Sequence, residues 1–215
     1  MPTDLSARRP IKTRDARWVQ AFARRLAQSS VTPNQISVLG LVLAGLAGLA
    51  LAAQGRFSAL MTVWSFLVAA GGIQGRLLCN LLDGLVAVEG GKASTTGPIY
   101  NELPDRLADL MVLVGAGYGV GVNPVWGWCA GVGALMTAYV RALGASIGGG
   151  QQFQGPMSKS HRMAMLTGAA LIAAGTVPWG WSARIMEVAL ILVTVGTAIT
   201  CVRRLQRIVR NLEAA

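Results

Sequence analysis

Charged residues are scarce in this chain, and acidic residues are the scarcest of them. Of the 215 residues 13% are charged, with nine carboxylates against 19 lysines and arginines. A soluble domain of this size usually has about a quarter of its residues charged. Here 53% are hydrophobic, and the mean hydropathy is +0.51. This composition argues against a soluble domain and predicts a membrane protein.

Histidine and cysteine are also scarce. The chain has one histidine, His161, and three cysteines, Cys79, Cys129 and Cys201, which are scattered without the spacing of a metal site. Zinc prefers nitrogen and sulfur ligands, so a zinc enzyme is not expected. We interpret the cysteines as small apolar residues.

Apolar runs dominate what is present. A helix that crosses a bilayer needs about 20 mostly apolar residues, and breaks containing Gly, Pro and polar residues separate such runs. We expect an all-α integral membrane protein with six transmembrane helices in a domain over 33–203, between an N-terminal segment 1–32 and a basic tail 204–215. The predicted spans are 34–54, 58–82, 98–120, 125–147, 163–180 and 184–202.

The basic residues collect at the ends of these spans, and few lie in the first, third and fifth connections. The positive-inside rule then places both termini on the cytoplasmic side, for which a bacterial inner membrane is the expected setting. A net charge of +10 spread in this way does not indicate nucleic-acid binding. The residues are Arg8, Arg9, Lys12, Arg14, Arg17, Arg24, Arg25, Lys92, Lys159, Arg162, Arg203, Arg204, Arg207 and Arg210.

The segment 14–30 has helical apolar spacing. Trp18, Val19, Phe22 and Leu26 share one side, and arginines lie on the other. This pattern predicts an amphipathic helix on the anionic lipids of the inner leaflet. The alternative is a solvated basic leader.

Against this scarcity of acid, the stretch 80–109 holds five of the nine carboxylates. An ionisable group at membrane depth costs about 2.5–3.5 kcal/mol on insertion scales, so it is a functional candidate. Oxygen-bearing side chains recur at helical spacing on each side of the loop 88–97, and two antiparallel helices would bring them together. They are Asn80 and Asp83 before the loop, and Asn101, Glu102, Asp105 and Asp109 after it.

Such a group of oxygen ligands is what Mg²⁺ or Mn²⁺ prefers, above all when a substrate's phosphates complete the coordination shell. We therefore expect one of these ions as the cofactor.

The spacing of the stretch carries a resemblance. It runs Asn80-x2-Asp83-Gly84-x2-Ala87-Val88, then eight residues, then Gly97-x3-Asn101-x3-Asp105. This resembles the signature of the CDP-alcohol phosphotransferases, D-x2-D-G-x2-A-R, eight or nine residues, G-x3-D-x3-D. Asn80 and Asn101 stand where the family has Asp, and Val88 stands where it has Arg.

The resemblance extends over nearly the whole chain. The turn T-P-N-x-[IL]-[ST] before the family's first span matches residues 32–37, and residues 153–164 are similar to a basic linker found in some members. The family's six-span layout, with the motif across the second and third spans, also agrees.

The resemblance implies a membrane-embedded transferase of phospholipid biosynthesis. Such an enzyme moves a phosphatidyl group from a CDP-linked lipid donor, usually CDP-diacylglycerol, to a small polar alcohol and releases CMP. The site would have to open to the membrane lipids and to the cytoplasm at once. Members often form homodimers, which the sequence does not test.

Site roles follow from the resemblance position by position. Asp105 falls on the general base, close to the metals, and Gly84, Ala87 and Gly97 fall on positions that contact the nucleotide or pack closely. The metal-ligand positions are Asn80, Asp83 and Asn101.

The two asparagines remove two negative charges from the family's two-metal arrangement, and two compensations are open. Glu102 could replace the carboxylate missing at Asn101. Alternatively the ligand set shifts one turn, with Asp105 as a metal ligand and Asp109 as the base, helped by Pro104 in the helix. Asp109 could instead only pair with a nearby arginine, Arg76 or Arg106.

Phosphate groups need cations. We expect Arg141, Lys159 and Arg162 to form a pocket for a donor or acceptor phosphate, although Lys159 and Arg162 could be positive-inside anchors only. Two other functions stay open: a transporter coupled to a cation or protons, and a family member that has lost catalysis or works with one metal.

Overall fold

The computed structural model describes residues 17–92 and 95–214. Over these residues the chain folds into a short helix followed by six long ones, and a single 3₁₀ turn, Val177–Trp179, follows the fifth long helix. The basic residues Arg8, Arg9, Lys12 and Arg14 lie outside the described residues. The helices are α1 (Arg17–Ala27), α2 (Pro33–Ala53), α3 (Ala59–Glu89), α4 (Gly97–Gly117), α5 (Pro124–Ser146), α6 (Lys159–Thr176) and α7 (Ser182–Glu213).

The six long helices coincide with the six predicted spans, but three of them are longer at one end. α3 continues to Glu89 instead of ending at 82, α6 begins at Lys159 instead of 163, and α7 continues to Glu213, so most of the predicted tail is helical. The end of an apolar run shows where a helix leaves the bilayer. The helix itself continues until a capping residue or a helix breaker ends it. Asn80 and Asp83 therefore lie inside α3 rather than at its end.

Three of the described helices, α2, α3 and α7, are long and apolar enough to cross a membrane. Many of their large apolar side chains are exposed, among them Leu49, Trp64 and Leu192. In water such a surface would be a liability, whereas in a bilayer it faces lipid.

The six long helices form a closed bundle. Around it they follow the order α2, α4, α5, α7, α6 and α3, and α3 packs back on α2. α2 and α4 cross at Gly48 and Gly115, where the backbones touch: a Cβ atom on Gly48 would meet the carbonyl of Met111, and one on Gly115 would meet the carbonyl of Gly48. Small residues at such crossings are typical of membrane helices.

The start of α2 is fixed by a capping box. The Thr32 hydroxyl accepts a hydrogen bond from the Gln35 amide at 3.3 Å, and the Gln35 side chain accepts one from the Thr32 amide at 2.9 Å. Pro33 occupies the first turn, where its missing N–H costs nothing. This cap sets the position of Ser37, one turn further along.

Within the described residues the predicted amphipathic segment forms α1, which ends at Ala27 instead of 30 and packs on α3. Its apolar residues divide between two surfaces. Val19 and Ala23 are buried in a small core with Val86 of α3, whereas Trp18 and Phe22 are 61% and 46% exposed. The predicted membrane-facing side of this helix is therefore divided: part of it packs against α3, and only its aromatic residues stay exposed.

The crossing of α2 and α4 predicts a difference between two glycines. Gly48→Ala should destabilise the bundle by about 1–3 kcal/mol, the usual cost of overpacking. Gly71→Ala on α3, where an added Cβ meets nothing within 4 Å, should not. Thermal unfolding of both variants in one detergent checks this. Equal melting temperatures for the two would contradict the close crossing.

Candidate functional site

Four helices meet at the acidic stretch. α3 brings Asn80 and Asp83, α4 brings Asn101 and Asp105, α2 adds a hydroxyl, and α6 begins beside them. The oxygen-bearing faces of α3 and α4 therefore lie together, as the spacing predicts. A small cleft at this point is lined by Ser37, Gly40, Leu41, Arg76, Asn80, Asp83, Asn101, Pro104, Asp105 and Ala108.

Asp83 lies on the α2 side of the cleft and is 3% exposed. Its Oδ2 accepts a hydrogen bond of 2.6 Å from the Ser37 hydroxyl. Its Oδ1 is buried and has no hydrogen-bond donor among the described residues. A buried, half-satisfied carboxylate is costly unless a cation joins it.

Ser37 was not predicted as a site residue, although its signal was available. It is the last position of the T-P-N-x-[IL]-[ST] turn at 32–37. In the structure the hydroxyl at this position donates to Asp83 and orients its carboxylate.

Asp105, on α4, also lines the cleft and is surrounded by donors. Its Oδ1 accepts from Arg76 Nη2 and from Asn80 Nδ2, each at 3.0 Å. Its Oδ2 forms an ion pair with Lys159, the first residue of α6. The carboxylate is thus held by α3 and α6 together.

The Asn80 amide uses both of its ends. Its Nδ2 donates to Asp105 and, at 3.5 Å, to Asn101 Oδ1, and its Oδ1 accepts from Lys159 Nζ at 2.8 Å. An aspartate here could accept from the lysine but could not donate to Asp105. The asparagine therefore stabilises a site in which a carboxylate and an ammonium group are both present.

Asp109 lies one turn further along α4, away from the residues that line the cleft, and is 2% exposed. Its Oδ2 accepts from Arg162 Nη2 at 2.7 Å, and its Oδ1 is 3.1 Å from Arg76 Nη2. Of the two partners suggested by the sequence, Arg76 is present, and Arg162 takes the place of Arg106. This environment favours a structural ion pair over a base at the cleft.

Glu102 is also paired with arginines, and it does not line the cleft. Its half-exposed carboxylate accepts from Arg106 and from Arg141, both at 2.7 Å. Neither expected compensation for the two asparagines is therefore arranged in the structure, because Glu102 and Asp109 are both committed to arginines.

The three cations predicted for a phosphate pocket do not form one open group. Arg141 pairs with Glu102, Lys159 with Asp105 and Arg162 with Asp109. Arg162 is 1% exposed and also donates to the Met157 carbonyl at 3.0 Å. A buried arginine with these partners is part of the core packing, so Arg162 does not lie on an accessible anion surface.

Arg204 was expected as a positive-inside anchor but is buried as well. It donates to backbone carbonyls of Thr137, Phe153 and Gln154. It ties α7 to α5 and to the connection before α6.

The predicted nucleotide contacts lie at the ends of the two motif helices. Gly84 and Ala87 are half-buried on α3 beyond Asp83, and Gly97 is the first residue of α4. They stay predictions.

The cleft offers few oxygen ligands for a divalent ion. Among the described residues no three His, Cys, Asp or Glu side chains come together as a metal site. Asp83 Oδ1, which has no donor, and Asn101 Oδ1, which Asn80 Nδ2 approaches at 3.5 Å, are oxygen ligands of the kind that Mg²⁺ or Mn²⁺ prefers, with phosphates completing the shell. On the other side of the cleft, Lys159 already contacts Asn80 and Asp105.

No family model matches the chain. It is similar to an archaetidylinositol phosphate synthase of Pyrococcus horikoshii, with 25% identity over 197 residues, 91% of this chain and 93% of that protein. It is 26% identical over 201 residues to a phosphatidylinositol phosphate synthase of Mycobacterium tuberculosis, 90% of this chain and 86% of that protein. Phosphatidylinositol phosphate synthases belong to the CDP-alcohol phosphotransferases, which supports the resemblance in the sequence.

Solved structures of the Mycobacterium tuberculosis phosphatidylinositol phosphate synthase share the fold. The one with CDP-DAG bound has a TM-score of 0.72 at 22% identity, covering 90% of this chain and 94% of that one. The complex with manganese and citrate has a TM-score of 0.71 at 21% identity, covering 88% of each chain. The predicted all-α membrane fold is confirmed, and the chain is an integral membrane protein.

The contacts of Asp109 and Asp83 predict a large and a small loss of stability, respectively. Asp109→Ala leaves the buried Arg162 without its carboxylate and should cost about 3–5 kcal/mol. Asp83→Asn should cost little, since an amide oxygen still accepts from Ser37. Thermal unfolding in one detergent measures both changes. A stable Asp109→Ala protein would contradict the structural role of that ion pair.

Proposed function

We propose that this protein is a CDP-alcohol phosphatidyltransferase of phospholipid biosynthesis. It transfers a substituted phosphate group from a CDP-linked lipid, of the CDP-diacylglycerol type, to the hydroxyl of a small polar alcohol and releases CMP. The observation that carries the proposal is the meeting of Asp83 and Asp105 from α3 and α4 at one cleft, at the spacing of the family signature.

The relatives support the same reaction class. The similarity covers about nine-tenths of this chain, and two of the solved neighbours carry CDP-DAG or manganese. Inositol phosphate is the first acceptor to test, because the curated relatives are inositol phosphate lipid synthases. Arg141, half-buried at the cytoplasmic end that we propose, is the candidate partner for an acceptor phosphate once it leaves Glu102.

The roles of the side chains follow from their contacts. Asp83, oriented by Ser37, is the anchor for a divalent ion, with the amide oxygen of Asn101 as a further ligand. When bound, that ion would neutralise the pyrophosphate and the CMP leaving group. The acceptor hydroxyl attacks the phosphorus attached to the lipid, and the bond from that phosphorus to CMP breaks.

The proton of the acceptor hydroxyl needs a base. Arg76 and Asn80 fix Oδ1 of Asp105, so Oδ2, the oxygen that Lys159 contacts, is the one placed to accept the proton. We assign this role to Asp105 and a structural role to Asp109, which two arginines hold away from the cleft.

The proposed topology has six transmembrane helices with both termini and the site on the cytoplasmic side of a bacterial inner membrane. This arrangement lets a lipid donor enter from the bilayer while a polar acceptor enters from water. The excess of lysine and arginine at that side of the spans supports it.

Turnover by the purified protein tests the function. With CDP-diacylglycerol, Mn²⁺ or Mg²⁺ and inositol phosphate, glycerol 3-phosphate or serine, we expect CMP release with at least one acceptor. Asp83→Ala and Asp105→Ala should each lower the rate at least about 100-fold, the lower range for a lost acid or base. Glu187→Ala, which removes a carboxylate from the first turns of α7, should not.

The opposite result would be informative too. If no acceptor gives CMP while the protein carries cations across liposome membranes, the transferase proposal fails and a transporter takes its place.

A further inference from the structure

The ammonium group of Lys159 contacts two of the four signature positions. Its Nζ is 2.8 Å from Asn80 Oδ1 and forms an ion pair with Asp105. These two residues hold the first and fourth positions of the family signature, where the resemblance places a metal ligand and the general base close to the two metals. A lysine from α6 thus occupies the space between a ligand position of α3 and the base position of α4.

We propose that Lys159 replaces one of the two divalent ions, so that this chain binds a single divalent ion on the Asp83 side of the cleft. The inference deepens the proposed function and rests on the metal site assigned there.

The charge balance supports this replacement. Four aspartates balance two divalent ions, but only Asp83 and Asp105 remain at the signature positions, and the lysine neutralises one of them. A second divalent ion beside an ammonium group would be strongly repelled at the short distances inside the bundle. Relative to the family signature, the loss of two aspartates and the presence of Lys159 therefore balance each other in charge.

The position of Lys159 in its own helix supports it as well. Lys159 is the first residue of α6, where the positive end of the helix dipole disfavours a cation. Its side chain is 17% exposed, so water offsets little of this cost. The carboxylate of Asp105 and the amide oxygen of Asn80 supply the compensation from other helices.

The Asn80 amide fits the ammonium better than a carboxylate would. It accepts from Lys159 at one end and donates to Asp105 at the other. The opposite side of the cleft is left for a metal, because Asp83 Oδ1 is buried without a donor among the described residues.

The number of bound Mn²⁺ ions tests the proposal directly. Electron paramagnetic resonance of free Mn²⁺, titrated into the purified wild-type protein in detergent, should show one strong site per chain. Two sites, or none, would overturn the proposal. This measurement needs no variant and no turnover.

A set of variants tests whether Lys159 is the reason that only one ion binds. Asn80→Asp with Asn101→Asp, which restores the signature, should still bind one ion while Lys159 is present, and adding Lys159→Met should raise the count to two. Adding Lys92→Met instead removes a lysine that bonds the Ser29 and Val31 carbonyls, outside the site, and should leave the count at one. Two ions without loss of Lys159, or one ion after its loss, would overturn the assignment.

If the triple variant does not fold, Lys159→Met alone decides. Losing the ammonium group should tighten the binding of the single Mn²⁺ by about tenfold or more, because a nearby positive charge is gone. Lys159→Arg should keep the wild-type affinity. Unchanged affinity in Lys159→Met would overturn the proposal. Failure of CMP release with one bound Mn²⁺ would count against the proposed function only.

Discussion

A carboxylate among apolar helices must be neutralised or hydrogen bonded by a group from another helix, and this constraint organises the bundle. Asp83 meets Ser37 of α2, Asp105 meets Arg76 of α3 and Lys159 of α6, and Asp109 meets Arg162 of α6. Since desolvating each of these groups is costly, the pairs fix how the helices sit against one another. The contacts that hold the bundle together are also those that build the site.

The same constraint divides the site in two. On one side, Asp105 is satisfied by three donors, and the adjoining Asp109 by two arginines. On the other side, Asp83 has a single donor and a buried oxygen without one. Asp109 Oδ1 also lacks a hydrogen bond but has Arg76 3.1 Å away, so Asp83 is the carboxylate of the three that an added cation would stabilise most. The asparagines at two signature positions are thus explained by the charged side chains around them, above all Lys159 and Asp105, and need no replacement carboxylate.

Much of this could be predicted from the sequence, for identifiable reasons. Hydropathy located six helices, and the motif spacing brought Asn80, Asp83, Asn101 and Asp105 together, because helical periodicity decides which residues share a face. Helix ends were less predictable, since α3, α6 and α7 continue past their apolar runs. A loss of apolar character does not stop a helix.

Contacts between residues far apart in the chain could not be predicted from the sequence. Lys159 reaches Asn80 and Asp105 only because α6 packs against α3, and no local pattern encodes that neighbour. The sequence favoured a phosphate-pocket role for Arg162, with an interface anchor as the alternative, and an anchor role for Arg204, yet both arginines are buried. Ser37 could have been found, since it belongs to the turn pattern already noted at 32–37.

The central claim is that one divalent ion and one lysine share the work of two metals. Anomalous diffraction from crystals of the wild-type protein with Mn²⁺ and a CDP-linked lipid tests it most directly. We expect one manganese peak beside Asp83, with the Lys159 ammonium between Asn80 and Asp105. Two manganese peaks, with Lys159 displaced from Asp105, would contradict it.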